Sequence, residues 1–276
     1  MDATLGDGGH AEAILQASAP TGRLIGLDRD REAVEVARER LSVYRDRVIL
    51  EHEHFIHMAD VLSRHCIQRV DGILFDLGVS SRQLMQADRG FSFQLDGPLD
   101  MRMDRSQPVT AETLIRRVSE KELADIIFKY GQERWAKRIA RAIVQARKHQ
   151  SIKTTLELVR IIQRVIPRGR SFSRLHPATR TFQALRIAVN QELDHLEAAL
   201  ENACRLLNLG GRLCVIAFHS LEDRIVKQTL RRLNSQAGGA LMRIVTPKPI
   251  QPGAVEIQAN PRARSAKLRV AERINT

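Results

Sequence analysis

Gly6-Asp7-Gly8-Gly9-His10 is followed about 20 residues on by Asp28, which ends the apolar run Arg23-Leu-Ile-Gly-Leu-Asp28. A glycine loop between a strand and a helix lets backbone come close to a ligand. An acidic residue at that remove can accept both hydroxyl hydrogens of a ribose. Gly8, Gly9, His10 and Asp28 therefore suggest a nucleotide-like ligand. Alone the loop is weakly specific. Gly6-x-Gly8-x-x-Ala11 also satisfies the dinucleotide fingerprint, so hydride transfer with NAD stays open, as does a tight turn with no ligand at all.

A second constellation is Asp71-Gly-Ile-Leu-Phe-Asp76-Leu-Gly-Val-Ser-Ser81, an apolar strand that delivers a carboxylate and a small-residue loop at its carboxyl end. Open α/β sheets bind ligands at that end. Transfer of a methyl group to an exocyclic amine needs an acceptor beside the amine, because its lone pair is conjugated into the ring and positive charge grows on nitrogen as the bond forms. Asp76 or the carbonyls after it suit that task; a helix-capping aspartate is the plainer reading.

Two further clusters invite a metal and are better read otherwise. Asp96, Asp100 and Asp104 are evenly spaced, but Pro98 breaks the helix that would align them, and an ordered loop over the site is favoured. His52-x-His54-x-x-His57 sits in mixed strand and turn context, which does not suit zinc. Phe55, between them, is placed to cover an adenine ring. The expectation is no metal.

The elements that must position these residues follow from hydrophobic patterning. Residues 22–80 alternate short apolar runs (23–28, 47–50, 71–76) with helical patterns (31–43, 57–66), the mark of a parallel sheet with helices on both faces. Residues 89–108 read as a long ordered loop, broken by Gly90, Gly97, Pro98 and Pro108. Residues 110–166 read as helical, with start signals at Thr110, Ser119 and Thr154 and a stop at Gly131. Arg168-Gly-Arg-Ser-Phe-Ser-Arg174 reads as a basic linker back to the first domain. One long helix is expected from Ala178 to Leu207, a buried strand at 212–218, a helix capped by Ser220-Leu-Glu-Asp223 and a last strand from Ala266 to Ile274.

Charge is concentrated in one stretch. Of 44 Lys/Arg and 32 Asp/Glu, residues 110–180 hold 17 and 6, leaving 27 and 26, a near-neutral balance, elsewhere. A neutral catalytic domain with a basic insertion that grips nucleic acid has this distribution, and so does a basic protein with solvated helix faces. Arg134, Lys137, Arg138, Arg141 and Lys148 recur at spacings that make a basic ridge on one helix opposite Ile139, Ile143 and Val144. Aromatic residues are only 4%, which argues against a dedicated base-stacking platform. Cys66, Cys204 and Cys214 are far apart and lack metal-type spacing. No apolar run is long enough to span a bilayer and no leader-like segment precedes the loop, so a cytoplasmic location is expected.

Taken together, Asp2-Ala-Thr-Leu-Gly-Asp-Gly-Gly-His10, Leu27-Asp-Arg-Asp30, Phe75-Asp-Leu-Gly-Val-Ser-Ser81, Arg89-Gly-Phe-Ser-Phe93, Asp96-Gly-Pro-Leu-Asp-Met-Arg-Met-Asp104, His176-Pro-Ala-Thr-Arg-Thr-Phe-Gln183, Phe218-His-Ser-Leu-Glu-Asp-Arg224 and Asn260-Pro-Arg-Ala-Arg-Ser265 resemble the bacterial RsmH (MraW) family. The resemblance runs in order along nearly the whole chain. It implies an α/β, Rossmann-like S-adenosylmethionine methyltransferase sheet with an inserted all-helical domain: residues 1–103 and 181–276 as the methyltransferase domain, and 104–180 as a basic, RNA-recognising insertion. It further implies N4-methylation of a decoding-centre cytidine of 16S ribosomal RNA within the small subunit. S-adenosylmethionine would be held by Gly8, Gly9, His10, Asp28, Phe55, Asp76 and Gln83. Asp76 is the candidate catalytic residue, although Asp-Leu-Gly-Val-Ser-Ser replaces the Asp/Asn-Pro-Pro-aromatic loop common among amino-methyltransferases.

Members of that family usually begin earlier, with a helix and a first strand before the glycine loop, whereas Met1 stands where that strand ends. The expectation is a truncated first strand, explained by an internal valine codon read as the start. Two other functions remain: an NAD-dependent oxidoreductase, and a non-catalytic ribosome assembly factor with a dead cofactor site.

Overall fold

The computed structural model describes residues 1–166, 176–235 and 239–275. In chain order the elements are α1 (Gly9–Ala17), β1 (Leu24–Asp28), α2 (Arg31–Arg40), β2 (Val48–His52), α3 (Met58–Arg64), β3 (Val70–Asp76), α4 (Ser81–Met85), α5 (Ala111–Arg117), α6 (Glu120–Gly131), α7 (Ala136–His149), α8 (Thr155–Val165) and α9 (Thr179–Asn190). Then follow α10 (Leu196–Leu206), β4 (Leu207–Ala217), α11 (Ser220–Asn234), β5 (Met242–Ile244), α12 (Ala254–Ala259) and β6 (Lys267–Arg273). They form two compact units, Met1–Gly78 with Leu193–Thr276, and Val79–Glu192.

The first unit is the α/β fold expected. β1 pairs with β2 and β3 with β4, all parallel, while β6 runs antiparallel between β4 and β5. Leu24, Ile25 and Leu27 of β1 are all buried, as a strand covered on both faces requires. Between β1 and β3 lies the extended segment Met1–Leu5. Asp2 N–H donates to Ile25 O at 2.8 Å and Leu27 N–H to Asp2 O at 2.9 Å on one side; Ala3 N–H donates to Leu74 O at 2.8 Å and Leu74 N–H to Met1 O at 2.9 Å on the other. Over this length the facing backbone groups of β1 and β3 are satisfied, and Ala3 joins the core with Phe75, Leu200 and Val215.

Several expectations change in detail. The helix expected from Ala178 to Leu207 is two, α9 and α10. The chain turns at Gln191, whose φ of 51° ends α9, and Arg186 locks the turn through a two-bond pairing with Glu192, both contacts 2.8 Å. Hydrophobic periodicity runs straight through that break, which is why it is invisible in the pattern. β4 starts at Leu207, ahead of the glycines, and α11 is capped by His219 rather than Ser220. β5 and α12 were not foreseen. The basic linker at 168–174 lies outside the described residues.

The second unit is helical. Thr110, Ser119 and Thr154 each cap a helix as their spacing predicts, with side-chain and backbone bonds exchanged over three residues. Leu123, Ile127, Ile139, Ile143, Leu158, Ile162 and Leu185 form its core; burying each such side chain contributes about 1.5–3 kcal/mol. Gly131 is not the stop signal, since Gln132 takes the left-handed position after α6. Its reason is proximity: a Cβ there would meet Arg180 O of α9 at 2.4 Å.

Residues 89–104 are ordered, as foreseen, but within this helical unit. Buried Arg89 donates to Met103 O at 2.9 Å, and Asn190 of α9 both donates to Met101 O and accepts from Met103 N–H at 2.7 Å. The compact unit therefore extends beyond residues 104–180 at both ends.

Candidate functional site

The carboxyl ends of the parallel strands carry the candidate residues of the first unit. Leu5 N–H bonds to Leu27 O, and the chain then turns through Gly6 and Gly8, with φ of 50° and 80°, into α1. Gly8 is confined as well as left-handed, because a Cβ would lie 3.2 Å from that of Ala37. Gly6 N–H donates to Asp28 Oδ2 and Asp30 N–H to Asp28 Oδ1, each at 2.8 Å. Those bonds fix the carboxylate and leave each oxygen a second lone pair for a hydroxyl donor. Burial pushes the Asp28 carboxyl up to about 6, against the opposing pull of the two N–H groups.

Across the loop, His10 Nε2 stands 3.4 Å from Asp76 Oδ2. That hydrogen bond raises the imidazole above its ordinary value, with burial opposing it. Asp76 is held in turn by Thr4, whose Oγ1 accepts the Asp76 N–H at 2.6 Å. Phe55 lies just beyond the end of β2, where Glu53 N–H bonds to Asp28 O, and its ring meets Phe75 edge-on at 5.5 Å. The structure thus brings Gly8, Gly9, His10, Asp28, Phe55 and Asp76 to one edge of one sheet. Gln83 belongs to the helical unit, where its Oε1 accepts Ser80 N–H at 3.0 Å in a capping box.

Asp2 received no role from the motif that contains it. Its carboxyl is buried and accepts Thr4 N–H at 3.2 Å through Oδ1, and burial raises it to about 6. Asp2 Oδ2, Asp7 Oδ1 and Asp76 Oδ1 are buried oxygens with no hydrogen-bond partner among the described residues. Three unfilled acceptors around one glycine loop call for a ligand rich in positive charge and hydroxyl donors.

The suspected metal clusters are used locally. His52 contacts Arg29 O, His54 accepts Ile56 N–H, and His57 lies beside Asp60. Asp100 pairs with Arg102, and Asp104 accepts Ser106 N–H. Among the described residues, no group of three His, Cys, Asp or Glu side chains is arranged to hold a metal ion.

In the helical unit Arg134, Lys137, Arg138, Arg141 and Lys148 are all exposed, but only the last four lie on one helix, because α7 begins at Ala136 and Arg134 stands in the turn before it. Arg134 and Arg138 lie over the Trp135 ring at 5.1 and 5.2 Å, Arg141 reaches Glu120 at 3.4 Å, and Lys148 lines a cleft of about 260 Å³ with Arg116 and Arg147. No helix among the described residues is long and apolar enough to cross a membrane.

Parallel strands, a glycine loop and a ribose-level carboxylate define a Rossmann-like domain built for a nucleotide-type cofactor. Residues 1–274 match the MraW methylase family, and the chain belongs to that family; it is a methyltransferase. It is 54% identical to the ribosomal RNA small subunit methyltransferase H of Geobacter sp. (strain M21), over 99% of this chain and 92% of that protein. To the proteins of the same name from Geobacter sulfurreducens and Halothermothrix orenii it is 53% and 48% identical, with the same coverage.

Proposed function

We propose that this methyltransferase takes S-adenosylmethionine as donor and methylates N4 of a decoding-centre, P-site cytidine in the 16S RNA of the small ribosomal subunit. Membership in the family supports the class of reaction, and the names of its relatives support ribosomal RNA as the acceptor. The observation that carries the cofactor is the ring of unfilled carboxylate oxygens on Asp2, Asp7 and Asp76 beside Asp28. S-adenosylmethionine, with its ammonium, sulfonium and ribose hydroxyls, fits that set of acceptors; a nicotinamide dinucleotide, with a pyrophosphate at the loop, would be repelled by it.

In this reading Asp28 accepts the ribose hydroxyls, the Gly8–Gly9 backbone admits the ligand, and Phe55 covers the adenine. The bound cofactor supplies an electrophilic methyl group. The Asp76 carboxylate would accept an N4–H hydrogen bond and then the proton as the nitrogen–methyl bond forms and the methyl–sulfur bond breaks, while His10 orients the carboxylate. The segment 104–180 carries RNA recognition, with Arg134, Lys137, Arg138, Arg141 and Lys148 on phosphates. A direct test is transfer of labelled methyl from S-adenosylmethionine to small subunits that lack the modification, with nucleosides resolved by mass spectrometry. N4-methylcytidine is expected, and its absence rejects the proposal.

A further inference from the structure

The motifs Phe218–Arg224 and Asn260–Ser265 are not used by the cofactor site, yet the topology brings them to the same edge of the sheet. Ala217, the last residue of β4, pairs with Lys267, the first of β6, while Ile216 pairs with Asp76 of β3. Lys267 therefore lies two strand spacings from the Asp76 position, about 10 Å. The turn Pro261–Ser265 immediately precedes β6 and is anchored by buried Ala263 and by Asn260, whose side chain accepts Arg262 N–H. Arg262 and Arg264, on either side of Ala263, are exposed and form no ion pair among the described residues.

The neighbouring first turn of α11 is fastened to β6 by Asp223, which takes Arg269 at 2.7 Å and Lys267 at 3.3 Å. That pairing neutralises Lys267 and Arg269, while Arg224, next in sequence to Asp223, is exposed and likewise without an ion pair among the described residues. From 247 to 267 the chain holds four Lys/Arg against one Glu. Two arginines fixed on a short turn but given no internal partner are suited to bidentate capture of phosphate.

We infer that Arg262 and Arg264, with Arg224, form a phosphate clamp on the methyltransferase unit that grips the RNA backbone flanking the target nucleotide, separate from the ridge on α7. The inference rests on the RNA-methylation reading above. Its test compares the wild-type chain with Arg262→Gln/Arg264→Gln and with Arg262→Lys/Arg264→Lys, using small subunits lacking the modification. S-adenosylmethionine binding and thermal unfolding are measured alongside.

The glutamine pair is expected to raise KM for subunits about 10-fold and to reduce the slope of log affinity against log salt by about one. Its cofactor affinity and melting temperature should stay at the wild-type values, and the lysine pair should recover most of the salt slope. Wild-type methyl transfer with unchanged KM and slope in the glutamine pair overturns the clamp and leaves the activity standing. A wild-type chain that transfers no methyl group overturns both.

Discussion

His10 and Asp76 join the start of α1 to the end of β3: Nε2 of the imidazole stands 3.4 Å from one carboxylate oxygen, and the other oxygen is buried without a partner. The imidazole therefore fixes the direction of the carboxylate.

Replacing Asp76 with Asn keeps the shape and removes the proton acceptor. Methyl transfer should fall by about 100-fold or more, with affinity for S-adenosylmethionine changed only a few-fold. The His10 imidazole should titrate lower than in the wild type, because the bond that raises it is weakened. Wild-type turnover in this variant, measured under single-turnover conditions, would remove Asp76 from the chemistry.

Cofactor affinity should depend on pH through Asp28. Burial raises this carboxyl to about 6, so the group favours folding at low pH and loses that contribution as pH rises through about 6. Its capacity to accept ribose hydroxyls runs the other way, so affinity should be level above neutrality and fall as pH drops through about 6. Asp28→Asn should bind about 10-fold more weakly at high pH and show a flatter profile, with Asp2→Asn as the control for the second carboxyl in that range. An undiminished pH dependence in Asp28→Asn, read by calorimetric titration, contradicts the assignment.

Gly8→Ala combines a left-handed backbone with a 3.2 Å contact to Ala37. About 1–2 kcal/mol of backbone cost should lower the melting temperature by several degrees and weaken cofactor binding. An unchanged melting curve would show that the loop accommodates a side chain.

Asn190→Ala strips the partners from Met101 O and Met103 N–H inside the helical unit. Leaving two buried backbone groups unpaired costs about 2–6 kcal/mol. Chemical denaturation should show that loss, and proteolysis should begin within residues 89–104; a variant as stable as the wild type would show that the loop is held by apolar packing alone.

Arg134→Gln with Arg138→Gln removes the two cations over Trp135. Subunit affinity should weaken and its salt slope fall by about two, with cofactor binding untouched. An unaltered slope would take the ridge out of RNA contact.

What the sequence made legible was local. The glycine loop, Asp28, Asp76 and the three capping boxes are short-range patterns whose physical reasons lie within a few residues, and the structure forms each of them. β1 was readable because both its faces are buried and its apolar run is continuous. The break after Asn190 was not, since it depends on a buried amide and an Arg186–Glu192 pairing rather than on a glycine or proline. The exposed helix α12 buries nothing, so it leaves no periodic signal. Asp2 leaves no signal in the sequence, because its importance arises from burial between β1 and β3, which only the assembled sheet creates.

The central claim is tested most directly by incubating the full chain with methyl-labelled S-adenosylmethionine and small ribosomal subunits from cells that lack this gene, then identifying the labelled nucleoside by mass spectrometry. The prediction is label in N4-methylcytidine at one decoding-centre position, lost with Asp76→Asn. Label in any other nucleoside, or none while the cofactor is bound, would contradict it.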